Sequence, residues 1–156
     1  MGFEVTRATP QDAAELAAIH CEALPPGWSS TEIAAACNAP ERSVLKAISG
    51  GKLSGFVILQ IAAGEAEILT IAVTTKKRRQ GGASLLMAAA IEACHQRLVS
   101  FVFLETAQNN ISARALYEKF GFSVVGQRKN YYQTGRSAPE TALIMKLDIA
   151  GRRSLG

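Results

Sequence analysis

The stretch Lys76-Lys77-Arg78-Arg79-Gln80-Gly81-Gly82-Ala83-Ser84 is the part of this chain best equipped to hold an anion. Adjacent glycines let the backbone approach a ligand closely and adopt dihedrals denied to other residues. Several N–H groups can then converge at the positive end of a following helix, with basic side chains adding charge on the same side. A phosphate group suits such a turn. A second chemical candidate is Glu105, which closes the apolar run Phe101-Val102-Phe103-Leu104. Burial makes a carboxylate a better base, and a base of this kind needs a proton to take. The plainer reading is an exposed strand end or a partner for a basic side chain. Asn110 and Tyr117 share a helix face at i, i+7 and can reach one ligand, although a tyrosine at that spacing is also a common core residue.

Trp28, the only tryptophan, sits in the stiff break Pro25-Pro26-Gly27-Trp28-Ser29. Its ring either plugs a helix pair onto the core or lines a groove where a substrate peptide enters. His20 has no partner at metal-ligand spacing and reads as structural. Cys21, Cys37 and Cys94 are odd in number, far apart and without a Cys-x-x-Cys pair. They predict a reducing, cytosolic setting with neither a disulfide frame nor a metal site.

The elements that must position these residues follow from patterning. Phe3 to Arg7 alternates as a first strand, which outweighs the bare myristoylation pattern of Met1-Gly2 with Thr6. Thr9-Pro10 starts a helix that Pro25-Pro26 ends, and a short helix follows from Thr31 to Cys37. Arg42 to Ile48 and Lys52 to Ile61 are strands joined by Ser49-Gly50-Gly51. Ala62-Ala63-Gly64-Glu65 turns the chain into the strand Glu67 to Val73. The helix after the basic turn, clear from Ser84 to Glu92, ends near Arg97. Ser100 to Thr106 is then most simply parallel to the Glu67 to Val73 strand, because a helix crosses between them. Ligands bind where such parallel neighbours diverge at their carboxyl ends, and Val73 and Glu105 lie there.

Asn110 caps a helix over Ile111 to Phe120, stopped by Gly121. Phe122 to Gln127 and Thr141 to Leu147 form an antiparallel pair, with Lys129 to Pro139 as a polar loop between them. The α/β (α+β) reading is therefore a mixed, mostly antiparallel sheet of about seven strands with four helices. Residues 1–149 are read as a single domain, and 150–156 as a disordered tail.

The 156 residues are 48% hydrophobic, enough to bury a core, and carry a formal charge of +4 with a pI near 9.2. That charge favours anionic ligands such as CoA or nucleic acid. No apolar run reaches the roughly 18 residues that span a membrane.

The strand, Arg78-x-x-Gly81-x-Ala83 and helix resemble the pyrophosphate signature of the GNAT family of acyl-CoA-dependent N-acetyltransferases. Asn110-x-x-Ala113-x-x-Leu116-Tyr117-Glu118-x-x-Gly121-Phe122 resembles the family's second CoA-side motif, at the expected distance. Further points of likeness are Gly55-Phe56, Leu104-Glu105, Arg128-Lys129-Asn130-Tyr131-Tyr132 and Ala142-Leu143-Ile144-Met145. Together they give the chain the look of the RimI type over residues 3 to 148. RimI-type enzymes are bacterial and acetylate the N-terminal alanine of a small-subunit ribosomal protein.

This resemblance implies a GNAT fold with a splayed parallel pair and acetyl-CoA as co-substrate. Ile71, Ala72 and Val73 would pair main-chain groups with the pantetheine arm. The turn from Arg78 through Arg79, Gln80, Gly81, Gly82 and Ala83 to Ser84 would cradle the pyrophosphate, with Asn110 touching the cofactor from the next helix. Glu105 matches the general base and Tyr117 the general acid, while Trp28, Tyr131 and Tyr132 lie toward the peptide. An α-amino group, with a pKa near 8 against about 10.4 for lysine, is within reach of such a base near neutral pH.

Three positions depart from the family pattern. Gly82 replaces a bulky apolar residue, Thr106-Ala107 replaces Val-Arg, and Gly27-Trp28-Ser29 replaces Pro-Trp-Ser. The alternatives are a GNAT enzyme for another amine, a lysine side chain or small molecule, and a nucleic-acid module built on Lys76 to Arg79. Nothing else in the chain has a nucleic-acid recognition pattern.

Overall fold

A computed structural model describes residues 2–78, 80–132 and 140–153, with backbone alone for 130–132, 152 and 153. Seven strands form one sheet: β1 (Phe3–Arg7), β2 (Arg42–Ser49), β3 (Lys52–Ala62), β4 (Glu65–Val73), β5 (Phe101–Ala107), β6 (Ser123–Tyr132) and β7 (Glu140–Asp148). The helices are α1 (Ala13–Ala23), α2 (Ser30–Asn38), α3 (Gly82–Gln96), α4 (Ile111–Lys119) and the short α5 (Ala150–Arg153). Spatial order is β1-β2-β3-β4-β5-β7-β6. Every neighbouring pair is antiparallel except β4 and β5, which are parallel across the α3 crossover.

Alternation along the strands sends side chains to two faces, each with its own core. On one face Val57, Leu59, Ile68, Val73, Val102, Leu104 and Met145 pack with Leu86, Met87 and Ile91 of α3 and Tyr117 of α4. On the other, Val44, Phe56, Ile58 and Ala72 pack with Leu16 and Ile19 of α1 and Ile33 of α2.

The sheet is deformed where β4 meets β5. Ile58 pairs with Thr70 but Leu59 with Ile68, so Leu69 is an extra residue bulged out of the β3–β4 ladder. A bulge bends its strand and sharpens the twist. The β4–β5 ladder accordingly ends at Ile68 opposite Leu104, while β4 continues to Val73 and β5 to Ala107. Past that pair the two strands share no ladder, which leaves a gap in the strand pairing at their carboxyl ends.

Two expected segments differ. β6 runs to Tyr132 instead of stopping at Gln127, because Arg128 pairs with Ala142 and Tyr132 with Glu140. On an edge strand polar residues face water at little cost, and two tyrosines are good strand formers. The tail expected to lack structure starts as the helical turn α5, where Gly151 N–H donates to the Asp148 carboxylate at 3.0 Å.

Candidate active site

The basic turn lies at the end of β4 that borders the gap. Thr74 N–H donates to the Ser54 carbonyl at 2.8 Å, closing the strand, and a 3-10 turn over Thr75–Lys77 follows. Gly81 then takes φ +89°, a left-handed conformation that costs other residues energy, and becomes the N-cap of α3. The Leu85 N–H bonds the Gly81 carbonyl at 3.0 Å. The amides ahead of it, from Gly82 to Ser84, precede any helix carbonyl that could take them, as at every helix start. Val73, Lys77, Arg78, Gly81, Ala83 and Ser84 line one concavity there. A helix N-terminus and two cations lining one hollow are the features that suit an anion.

Side chains around the turn are tied down. The Arg78 guanidinium donates to the Val73 carbonyl at 3.4 Å, and the Gln80 amide donates to the Lys76 carbonyl at 3.1 Å. Arg79 lies outside the described residues. Glu22, at the end of α1, accepts the Thr75 N–H at 2.9 Å and the Thr75 hydroxyl. Those bonds, the hydroxyl's first, hold its carboxyl below the usual range. Sequence reading missed Glu22, because its partner lies 53 residues away and an exposed glutamate carries no local signal.

Gly82 packs against β1. A Cβ at this position would lie 3.0 Å from Cε1 of Phe3, so the phenyl ring fills the space a side chain at 82 would need. The departure from the family pattern thus has a physical partner. Ile71 and Val73 face the α3 side, and Ala72, 5% exposed, faces α1.

Glu105 stands beyond the last β4–β5 pair, on the face opposite Leu104 and Thr106. Of the two readings of Glu105, pairing with a basic side chain is the one the structure shows. Its side chain is 26% exposed, and its carboxylate meets the Arg128 guanidinium of β6 at 3.1 Å. A cation therefore accompanies Glu105 although Ala107 supplies none. The ion pair does not preclude proton transfer, since a carboxylate offers about four lone-pair sites.

Tyr117 is buried on the other face, 8% exposed, with its ring edge-on to Phe122 at 6.1 Å. Asn110 is exposed and caps α4, its side-chain oxygen accepting the Ala113 N–H at 3.1 Å. That oxygen is committed to the helix.

On the face covered by α1 and α2, Trp28 packs against the α1–α2 core with the Arg42 guanidinium 5.6 Å over its ring. The side chains of Tyr131 and Tyr132 lie outside the described residues, and their backbone ends β6. Among the cysteines, burial raises the thiols of Cys37 and Cys94, the latter to about 11, while Cys21 is exposed. No helix among the described residues is long and apolar enough to cross a membrane.

The chain and its fold are similar to those of known proteins. A curated [ribosomal protein bS18]-alanine N-acetyltransferase of Escherichia coli K12 is 35% identical over 135 residues, 86% of this chain and 90% of that protein. The same-named enzyme of Haemophilus influenzae is 37% identical over 101 residues, 65% of this chain and 68% of that one. The crystal structure of the Escherichia coli ribosomal-protein-S18-alanine N-acetyltransferase superposes with a TM-score of 0.88 at 30% identity, covering 95% and 94% of the two chains. Residues 13–122 match the acetyltransferase (GNAT) family, and the chain belongs to that family.

Proposed function

We propose that this protein is an acetyl-CoA-dependent N-α-acetyltransferase acting on the N-terminal alanine of a small-subunit ribosomal protein, by direct transfer in a ternary complex. One observation carries the reading: where the parallel β4–β5 pairing stops at Ile68 and Leu104, β4 runs on into the basic turn and β5 carries Glu105, with Tyr117 in the core on the sheet's other face. Residues 1–149 would act as one domain, a reading supported by a solved relative that spans nearly the whole chain.

The site fits the co-substrate by its donor set. Amides of Gly82 to Ser84 with Lys77 and Arg78 would hold the pyrophosphate, and the edge of β4 beyond Ile68 would offer main-chain groups to the pantetheine arm. Acetyl-CoA supplies the acetyl group as a thioester when bound. Glu105 takes a proton from the acceptor ammonium, directly or through water, and leaves a nucleophilic amine. Tyr117 hydrogen-bonds to the departing sulfur or protonates it. No cysteine is needed as a nucleophile.

Incubation with acetyl-CoA and small ribosomal subunits that lack terminal acetylation, followed by intact-mass analysis of each protein, tests this. One acetyl group gained by one alanine-starting protein is the expected result. Gain on lysine side chains alone would move the acceptor to another amine.

A further inference from the structure

His20 is the buried polar residue that the proposed mechanism leaves unused. It is 3% exposed and lies where α1, the α1–α2 connection and β4 meet. The Trp28 N–H donates to its Nδ1 at 2.9 Å, and Thr70 Oγ1 lies 2.9 Å from its Nε2. A backbone N–H only donates, so Nδ1 carries no proton, and the neutral ring must place its proton on Nε2, facing Thr70. Thr70 follows the bulged Leu69 and is the second residue past Ile68, at the mouth of the gap. The ring is therefore a rod between the acceptor-side turn and the point where the sheet parts.

Gly27 shows independently that the turn is folded hard onto this rod. It takes φ +74°, and a Cβ there would lie 2.9 Å from the backbone nitrogen of Cys21. Proline is held near φ −65° and cannot adopt that conformation, which gives Gly27 in place of Pro a physical reason.

We propose that His20 is a positioning residue for the acceptor side: neutral, it pins the Trp28 turn to the β4 bulge, and protonation of its ring releases that turn. Protonated Nδ1 would face the Trp28 N–H donor to donor, and the bond would be lost. Glu32 of α2 favours the cation, but Phe56 of β3, edge-on at 5.4 Å, and Thr70 of β4 are uncharged. Arg42 of β2 stacks on the far partner, Trp28, and adds positive charge. Burial outweighs Glu32 and holds the imidazole below its ordinary 6.5. Release therefore belongs to acid pH. The catalytic consequence rests on reading this face as the acceptor side.

Trp28 is the only tryptophan, so its fluorescence reports the turn directly. The emission of the full chain, H20N and H20Q is followed from about pH 7.5 to pH 4.5, bracketing the imidazole range. H20N puts an amide oxygen at the Nδ1 position and keeps the Trp28 bond without a titrating proton, whereas H20Q reaches only toward Thr70. The wild type should show a transition below 6.5, H20N none in that range, and H20Q the acid-form spectrum already at neutral pH. With an alanine-starting peptide, H20Q should raise acceptor KM roughly five- to tenfold, leaving kcat and acetyl-CoA KM unchanged, and H20N should behave like wild type. The same acid transition in H20N overturns the proposal, whether or not H20Q folds. A neutral-form spectrum in folded H20Q does so too. A titration as expected, with no peptide acetylated, upholds the His20 link and overturns the acceptor reading instead.

Discussion

Glu105 and Tyr117 lie on opposite faces of one sheet, Glu105 beside Arg128 and Tyr117 in the core beneath α3 and α4. Between them the β4–β5 ladder stops at Ile68 and Leu104. A base on one side and an acid on the other suit a reaction in which the amine arrives from one face and the thiolate leaves toward the other. On the proposed mechanism, both would act on one carbonyl placed where the β4–β5 pairing ends.

Loss of either group should then slow chemistry and spare cofactor binding. Glu105→Gln and Tyr117→Phe should each lower kcat about 10²- to 10⁴-fold at neutral pH, with acetyl-CoA KM nearly unchanged. Steady-state kinetics with both substrates varied checks this, and full turnover by either variant removes that residue from its role.

Gly81 should matter to the cofactor and not to the acceptor. At φ +89° a Cβ meets no neighbouring atom, so the cost of Gly81→Ala is conformational, about 1–2 kcal/mol. Relaxation of the turn would scatter the α3 amides, and acetyl-CoA KM should rise roughly five- to thirtyfold while acceptor KM holds. Isothermal titration with CoA reads the same effect at equilibrium.

The Phe3–Gly82 contact predicts a swap. Gly82→Leu restores the bulk usual in the family but drives it into the Phe3 ring, and should destabilise the fold by about 1–3 kcal/mol. Adding Phe3→Ala should recover part of that loss. Denaturant midpoints of both single variants and the double variant measure the coupling.

Thiol chemistry should sort by burial. Cys94, with its thiol pushed up to about 11 and no exposure, should resist alkylation at pH 7.5 in the folded protein, whereas exposed Cys21 should react. Replacing all three by Ser or Ala should leave the acetyl-transfer step intact. Peptide mapping after brief iodoacetamide treatment settles the first point.

The strand, basic turn and helix around Gly81 were legible because their signals are local: a branched apolar run, paired glycines and helix formers. The parallel relation of β4 and β5 followed from the intervening helix. Other features depend on distant partners. The insertion of β7 between β5 and β6 depends on pairing residues far apart in sequence, and the Leu69 bulge is defined only against β3. His20 read as an ordinary structural residue because its partners, Trp28 and Thr70, come from a turn and a strand that only folding brings to it. For Glu105 the chain left open a buried base or a partner for a basic side chain, and could not say which cation would meet it. Its ion-pair partner comes from β6, across β7.

The most direct test pairs two short peptides with acetyl-CoA: one beginning with a free alanine and lacking lysine, the other blocked at its α-amine and carrying a lysine. Mass spectrometry then reads which is acetylated. Modification of the free-alanine peptide alone is the predicted result. Modification of only the blocked peptide, or of neither while acetyl-CoA binds, would contradict an N-α-acetyltransferase.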